Sequence, residues 1–425
     1  MDLLILFGGF GLAILAGVPV AVSLGIASAG YLAFSGMPLV VIPQKMYAGM
    51  DVFVLLCIPG FILAGNLMNN GGITERIVRF ATALVGWLRG GLGLTNVAGS
   101  MLFGGISGTA VADAASVGGM MIPGMVRAGY PAPFSAAITA ASSTVGPMIP
   151  PSVPMIIVGA LSGISVGKMF LAGAVPGILM GIAMMVTCYL IARRRNFPRE
   201  PWQGFGELGR AFASAFWALA MTALIIVGLL SGYATPTETA VVACIYATFV
   251  GLFIYRELPV RKIPKIIVDS AVSSAAILAL VGFANVFGYI LAAERIPQMI
   301  ASTVLSITDN KFLVILLINV LLLIIGTFME TIAALIILFV PLLHLATSVG
   351  IDPLHFATFA VLNLMLGLTT PPVGVCLFVC ANIARLPLAP VVRAILPFLL
   401  TNIGVLLAVS YIPALSTWLP NTLMD

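Results

Sequence analysis

Charged side chains are scarce in this sequence: 19 Lys and Arg and 14 Asp and Glu among 425 residues, or 8%. A folded chain of this length in water needs a polar surface. With 61% apolar residues and a mean hydropathy of +1.18, little is left to build one. That excludes a water-soluble fold, and no stretch is polar enough for an extramembrane domain. Metal-ligating residues are few as well, with two histidines and five cysteines. Cys57, Cys188, Cys244, Cys376 and Cys380 all lie in apolar runs. Cys376 and Cys380 share a helix face, but no His or carboxylate neighbours them to complete a metal set, so the five read as buried structural thiols. His344 and His355 do not match each other in the chain's repeat and read as packed or interfacial residues rather than a proton relay.

What the chain has instead is apolar length. Runs at 3–34, 52–67, 166–192, 212–230, 240–255 and 312–346 approach or exceed the roughly 20 residues needed to cross about 30 Å of hydrocarbon. The opening run resembles a secretory signal, but no basic segment precedes it and apolar sequence continues past Pro19, so it reads as a first membrane helix. The sequence pI of about 9.0 points to a membrane, not to nucleic acid. Its positive charges sit in short loops: Arg193, Arg194, Arg195, Arg199 and Arg210 in one, and Arg256, Arg261, Lys262 and Lys265 in another. This is the positive-inside pattern.

Proline and glycine landmarks recur along the chain. Pro19 and Pro236 stand 217 residues apart, and Gly108-Thr109 and Gly326-Thr327 stand 218 apart. Pro123 and Pro341 keep the 218 spacing, while Pro150-Pro151 with Pro371-Pro372, and Pro176 with Pro397, are 221 apart. An ordered set with so little drift marks an internal duplication, 1–205 and 206–425. In each half two apolar segments flank a proline and a third follows. Then come an amphipathic stretch, a hairpin interrupted at Gly-Thr (about 91–127 and 312–346), a helix broken at Pro-Pro (about 131–165 and 353–384), and a last span. The stretch at 73–89, with Arg76, Arg79, Arg89 and Trp87, reads as an arm on the lipid surface. If the hairpins are re-entrant, each half crosses five times and an odd count inverts the second half. That places most positive loops inside and both termini outside.

Four interruptions carry the chemistry. A broken membrane helix frees backbone groups that need partners, so such breaks point to a transport site. They are the segment from Gly104 to Thr109, the segment from Ser142 to Ser152, Gly326-Thr327-Phe328-Met329-Glu330, and Gly367-Leu368-Thr369-Thr370-Pro371-Pro372-Val373-Gly374. The carbonyls of 143–149 are expected without helical partners, and Thr370 is expected to cap a half-helix that has Pro371 in its first position. Freed carbonyls and hydroxyls suit Na⁺, and half-helix N-termini suit an anion. Asp113 and Glu330 lie in apolar segments beside the hairpin tips, where acids are functional candidates for ion or substrate contact. Thr327-x-x-Glu330 also fits a capping box, as does Thr235-x-x-Glu238, and Glu238 is read as a cap. Arg127 either faces an anionic substrate or sits at the inner interface.

At these residues the chain resembles the large membrane subunit of tripartite ATP-independent periplasmic (TRAP) transporters. The resemblance rests on 107–113 with Pro123 and Gly129-Tyr130, on 146–152, on 234–238, and on 350–353 with 367–374. Ser107-Gly108-Thr109 is also similar, more distantly, to the Ser-Asn-Thr hairpin tips of divalent-anion/sodium symporters. The resemblance implies an all-α polytopic membrane protein with two inverted-topology repeats and an elevator mechanism. The first helices of each repeat would form the scaffold, and the hairpins and broken helices the transport domain. It implies at least two sodium sites, one at Ser107, Gly108, Thr109, Gly146 and Pro147, the other at Gly326, Thr327, Gly367, Thr369 and Thr370. Ser107, Asp113, Pro150, Ser152, Glu330 and Pro371 are the expected substrate-binding residues. Gly326-Thr327-Phe328 departs from the family triplet, which leaves the second set the less defined. The implied partners are a periplasmic substrate-binding protein, an acidic solute such as sialic acid or a four-carbon dicarboxylate, and a small membrane subunit of about four helices. No such extension precedes this chain, so that subunit is expected as a separate polypeptide. The expected location is the bacterial inner membrane, with both termini periplasmic. A channel would use similar breaks. An intramembrane hydrolase would need a base beside Ser107 or Asp113, and neither His lies near them in sequence.

Overall fold

A computed structural model describes residues 2–199, 201–231 and 233–424, with the side chains of 2–4, 106 and 107 left out of the description. Every regular element among the described residues is helical. The first half runs α1 (Asp2–Leu15), α2 (Val20–Phe34), α3 (Val41–Met50), α4 (Cys57–Asn70), α5 (Ile73–Val85), α6 (Gly91–Ser107), α7 (Ala110–Arg127), α8 (Ala132–Ser143), α9 (Val153–Ser162) and α10 (Val166–Arg194). The second runs α11 (Gly204–Leu230), α12 (Pro236–Phe249), α13 (Ile263–Ala293), α14 (Ile296–Ile307), α15 (Lys311–Gly326), α16 (Thr331–Ser348), α17 (Pro353–Gly367), α18 (Val375–Ile383), α19 (Leu388–Tyr411) and α20 (Ala414–Met424). The element order of the first half recurs in the second, except that α3 and α20 have no counterpart.

Local chemistry sets the boundaries. Thr235 caps α12: its hydroxyl accepts from the Glu238 N–H at 3.3 Å, and Glu238 accepts from the Thr235 N–H at 2.8 Å. Glu238 is therefore a cap, as its spacing predicts. Gly129, with φ of +89°, supplies the turn between α7 and α8 that a side chain would strain. Arg193 and Arg194 occupy the last turn of α10, where the helix dipole favours positive charge.

Two packed groups result. α4 lies against α12 and α13, α13 also against α2 and α3, and α5 against α11. The other group is built on α8 and α17. In α8 every residue from Phe134 to Ser143 is buried, and in α17 every residue from Leu354 to Gly367. A helix apolar on all sides belongs at the centre of a bundle. The hairpin α6–α7, helices α10 and α19, and α18 pack on α8, while α15, α16 and α19 pack on α17.

Seven helical spans among the described residues are long and apolar enough to cross a membrane, or eight if the 42° bent pair α8–α9 is counted as one span. Five crossings per half exceeds this count. Shorter apolar helices, among them α2, α15 and α17, fall below the length needed to cross unaided.

Each half also holds a buried polar network. In the first, Asn96 donates to Thr139 at 2.6 Å, and Ser142 pairs with Ser100 at 3.0 Å. In the second, Asn319 donates to Ser410 at 3.0 Å and accepts from Asn363 at 2.8 Å. Removing one partner strands the others, at about 1–3 kcal/mol per unsatisfied group. Asn319→Leu should therefore lower the thermal unfolding midpoint of the purified protein clearly. Ser302→Ala, on exposed α14, should leave it nearly unchanged, and equal midpoints for the two variants would show that the network contributes nothing.

Candidate functional site

The two hairpin tips meet the two helix breaks through glycine. A Cβ built on Gly104 of α6 would fall 2.0 Å from the Cα of Gly146 in the first break. One built on Gly367 of α17 would fall 2.5 Å from Gly326 at the end of α15. In both halves, backbone approaches backbone at a distance only glycine permits. Across the first contact, the Val153 N–H reaches the Gly108 carbonyl at 3.4 Å, and the Pro151 carbonyl lies 3.1 Å from where a Gly108 side chain would begin. Gly108 itself turns the hairpin with φ of +65°, and Thr109 is the extended N-cap residue of α7. Ser107 closes α6, and its side chain lies outside the described residues.

The first break is tighter than its three prolines imply. Gly146–Met148 form a 3-10 turn, with the Met148 N–H on the Val145 carbonyl at 3.0 Å and the Ile149 N–H on the Gly146 carbonyl at 2.9 Å. Two carbonyls expected to be free are thus taken, because a 3-10 turn re-forms bonds on the far side of Val145. Ser152 caps α9, accepting from the Met155 N–H at 3.3 Å, and Pro150 is buried beside it.

The second break departs further from expectation. Thr370 does not cap α18, and Pro371 is not its first residue. The chain stays non-helical to Gly374 (φ +54°), α18 starts at Val375, and the Cys376 N–H spans the gap to the Leu368 carbonyl at 3.0 Å. Two adjacent prolines offer no N–H to restart the helix, so it waits for the left-handed glycine. The Pro150-Pro151 and Pro371-Pro372 bonds are both cis. The capping box at Thr327 is absent too: Glu330 is itself the N-cap of α16, accepting from Ile332 N–H at 2.9 Å and Ala333 N–H at 3.2 Å.

The hydroxyls of both breaks share one habit. Ser143 donates to Ala140 O (2.8 Å), Thr144 to Ala141 O (2.7 Å), Thr327 to Ile324 O (2.7 Å), and Thr369 and Thr370 to Leu366 O (2.9 and 2.8 Å). A hydroxyl whose proton is held by its own helix turns only lone pairs outward. That is acceptor chemistry, suited to a small hard cation. Beside it stands Asp113, fully buried in the first turn of α7 between Ser100 and Gly146. Neither of its carboxylate oxygens has a hydrogen-bond partner among the described residues. A buried acid without a partner is costly, and a bound cation would remove that cost. Cys376 of α18 lies near Ser143, Asp113 and Glu330, so residues of both halves face one centre.

Arg127 is not brought there. It is exposed at the far end of α7, donating to Pro123 O at 3.3 Å, and 18 residues of helix separate it from the tip by about 27 Å. His344 is exposed, and buried His355 bonds Val409 O at 2.9 Å. No group of three or more potential metal-ligating His, Cys, Asp and Glu residues occurs among the described residues.

Two cavities flank the site. One of about 150 Å³ is lined by Asn66, Asn69, Thr109, Ser116 and Ser273, between α4–α13 and the first hairpin. Asn66 donates to Ser270 at 2.8 Å and Asn69 to Ser116 at 2.9 Å. The sequence alone does not single out these two residues. Their signal was two amides three apart on one face of an apolar helix. A second cavity of about 470 Å³, mostly apolar, opens between α3–α13 and α9–α16, with Lys45 stacked 4.3 Å over Tyr289. Thr222, which donates from α11 to the Gly105 carbonyl at 3.0 Å, was also overlooked.

Residues 7–415 match the family described as tripartite ATP-independent periplasmic transporter, DctM component. The chain is 41% identical to the sialic acid TRAP transporter large permease protein SiaM of Vibrio cholerae, over 98% of this chain and 97% of that protein. It is 40% identical to the C4-dicarboxylate TRAP transporter large permease protein DctM of Pseudomonas aeruginosa, over 89% of each. Its fold is similar to that of the YdaH transporter of Alcanivorax borkumensis (TM-score 0.62, 15% identity, 93% of this chain and 90% of that one).

The glycine contacts yield a test with a sign. Gly104→Ala must force the hairpin off the break, and overpacking of this kind costs about 1–3 kcal/mol. Gly119→Ala, in α7 with open space around its Cβ, should be neutral or stabilising through helix propensity alone. Thermal midpoints of the two purified variants check this, and a Gly104→Ala protein as stable as Gly119→Ala would refute the contact.

Proposed function

Since the chain belongs to the DctM component family of tripartite ATP-independent periplasmic transporters, we propose that it imports an acidic solute by coupling to sodium. The solute is of the sialic acid or four-carbon dicarboxylate class, the classes named for its relatives. A periplasmic binding protein delivers it, and a small membrane subunit completes the carrier. The two halves are inverted repeats with five crossings each, and both termini are periplasmic.

One observation carries the coupling: a fully buried, unpartnered carboxylate stands against a broken helix whose hydroxyls present lone pairs. Sodium enters as a co-transported substrate. Gly108, Thr109, Gly146 and Pro147 with Ser107, and with Asp113 as the charged member, hold one ion. Gly326, Thr327, Gly367, Thr369 and Thr370 hold the other. The solute carboxylate then meets a site with its negative charge already neutralised, beside the half-helix N-terminus that follows Ser152. Solute without sodium would face Asp113 unscreened, which makes binding of the two cooperative.

The elevator reading rests on the packing. α8 and α17 are enclosed on every side and move as one body with their hairpins, while α4, α11, α12 and α13 stay as scaffold. The polar and apolar cavities both lie along the boundary between these groups, where sliding needs room.

The test is uptake of a panel of acidic solutes into liposomes holding the full chain, the small subunit and the binding protein. Uptake should require a sodium gradient, and equal rates in Na⁺ and K⁺ media would end the coupling proposal. Asp113→Asn should raise the sodium concentration for half-maximal uptake at least tenfold or abolish transport. Glu238→Gln, altering only the α12 cap, should stay within about twofold in rate, since a cap is worth about 1 kcal/mol of stability and no transport step.

A further inference from the structure

A third cavity, about 490 Å³, lies away from the transport site, in the wedge between the end of α10 and the start of α19, with the start of α8 as its floor. Three guanidinium groups line it: Arg194 and Arg195 from α10 and its cap, and Arg393 from α19. No ion pair of theirs is found among the described residues. Glu207 and Glu257, acids of the chain's basic loops, are engaged by Arg79 with Arg210 and by Arg76 respectively. Like charges gathered without a counter-ion repel one another, so the arrangement asks for an anion.

The rest of the wall says what kind. Phe134, Ile191 and Pro397 complete the crevice, an apolar surface that a free inorganic ion would not use. One helical turn further along, Thr187 of α10 bonds Thr401 of α19 at 2.7 Å and closes the wedge. Beyond the arginines the outer faces of the same helices expose Leu190, Leu396 and Leu400. The crevice is thus basic at its rim and apolar below. A phosphate bound to the guanidiniums would leave attached acyl chains lying along an apolar face.

We propose that this crevice binds the phosphodiester headgroup of an anionic glycerophospholipid. Basic pockets between membrane helices near a positively charged face hold such headgroups, and planar guanidinium groups pair with phosphate through two parallel hydrogen bonds. The crevice joins α8, α10 and α19, so the lipid would brace the enclosed helices from the side opposite their hairpin tips. The inference rests on the membrane reading of the chain and not on its sodium or solute assignment, so its failure would leave transport coupling standing.

The full-length protein, purified in mild detergent, is titrated with phosphatidylglycerol, phosphatidylcholine or inorganic phosphate, and bound species are counted by native mass spectrometry. Phosphatidylglycerol should bind at least tenfold more tightly than phosphatidylcholine. The triple variant R194Q/R195Q/R393Q should lose that preference while keeping the wild-type thermal midpoint in lipid-free detergent. The double variant R193Q/R199Q removes neighbouring exposed charge outside the crevice and should bind as the wild type does. Equal binding of the two lipids, or equal loss in both variants, would overturn the proposal. So would millimolar phosphate displacing the lipid completely, which would make this an inorganic anion site.

Discussion

A polar backbone group inside hydrocarbon must find its partner within the protein, and this requirement organises the structure. Intact helices meet it automatically. The breaks after Ser143 and Gly367 do not, and the surrounding residues follow from that deficit. Ser143, Thr144, Thr369 and Thr370 fold their hydroxyls onto the last turns of their own helices. Gly104 and Gly326 let the hairpins close over the breaks at backbone contact. Asn96 and Asn319 support the same helices from behind. The chemistry suited to an ion is what these corrections leave unspent: lone pairs, a few carbonyls and one buried carboxylate.

The two halves solve the same problem with their acids in different places. In the first, Thr109 ends the extended tip and Asp113 lies a turn inside α7, buried and unpartnered. In the second, Glu330 holds the N-cap position that Thr109 has in the first, and one oxygen of its carboxylate accepts from two backbone N–H groups. One acid is therefore available to a ligand, and the other mainly holds its helix. The breaks differ likewise: Pro150 to Ser152 are buried, whereas Pro372 and Val373 are exposed. The break in the first half is thus enclosed and the one in the second open.

Much of this was legible in the residues. Prolines and glycines locate breaks because they forbid or relax backbone geometry whatever surrounds them, so the hairpins and broken helices fall where Gly108, Pro150 and Pro371 put them. The Thr235–Glu238 cap is a local motif and was equally readable. What escaped depended on contacts between distant segments. The Thr370 cap failed because its hydroxyl folds back onto the Leu366 carbonyl and the helix resumes only at Val375, beyond a glycine turn that spacing alone could not anticipate. Aligning Gly108-Thr109 with Gly326-Thr327 hid the correspondence of Thr109 with Glu330, since the second tip carries extra residues before its helix resumes. Asn66, Asn69 and Thr222 are single polar residues on otherwise apolar helices, and their meaning appears only when the hairpin is seen against them.

The proposed sliding also has an energetic scale. Hydrogen bonds that cross from scaffold to hairpin, such as Thr222 to Gly105 and Asn69 to Ser116, contribute about 0.5–1.5 kcal/mol each. Packing within the enclosed group is of another order: a buried Phe or Leu truncated to Ala typically costs about 2–5 kcal/mol, and α17 alone buries every residue from Leu354 to Gly367. A displacement that breaks a few seam bonds while preserving that interior is far cheaper than one that reshapes the site. The same argument favours drawing the proposed ion ligands from within the proposed mobile body rather than from the scaffold. In the proposed stroke, ligands divided between the two would pull apart, whereas Asp113, Ser143 and Gly146 would travel together.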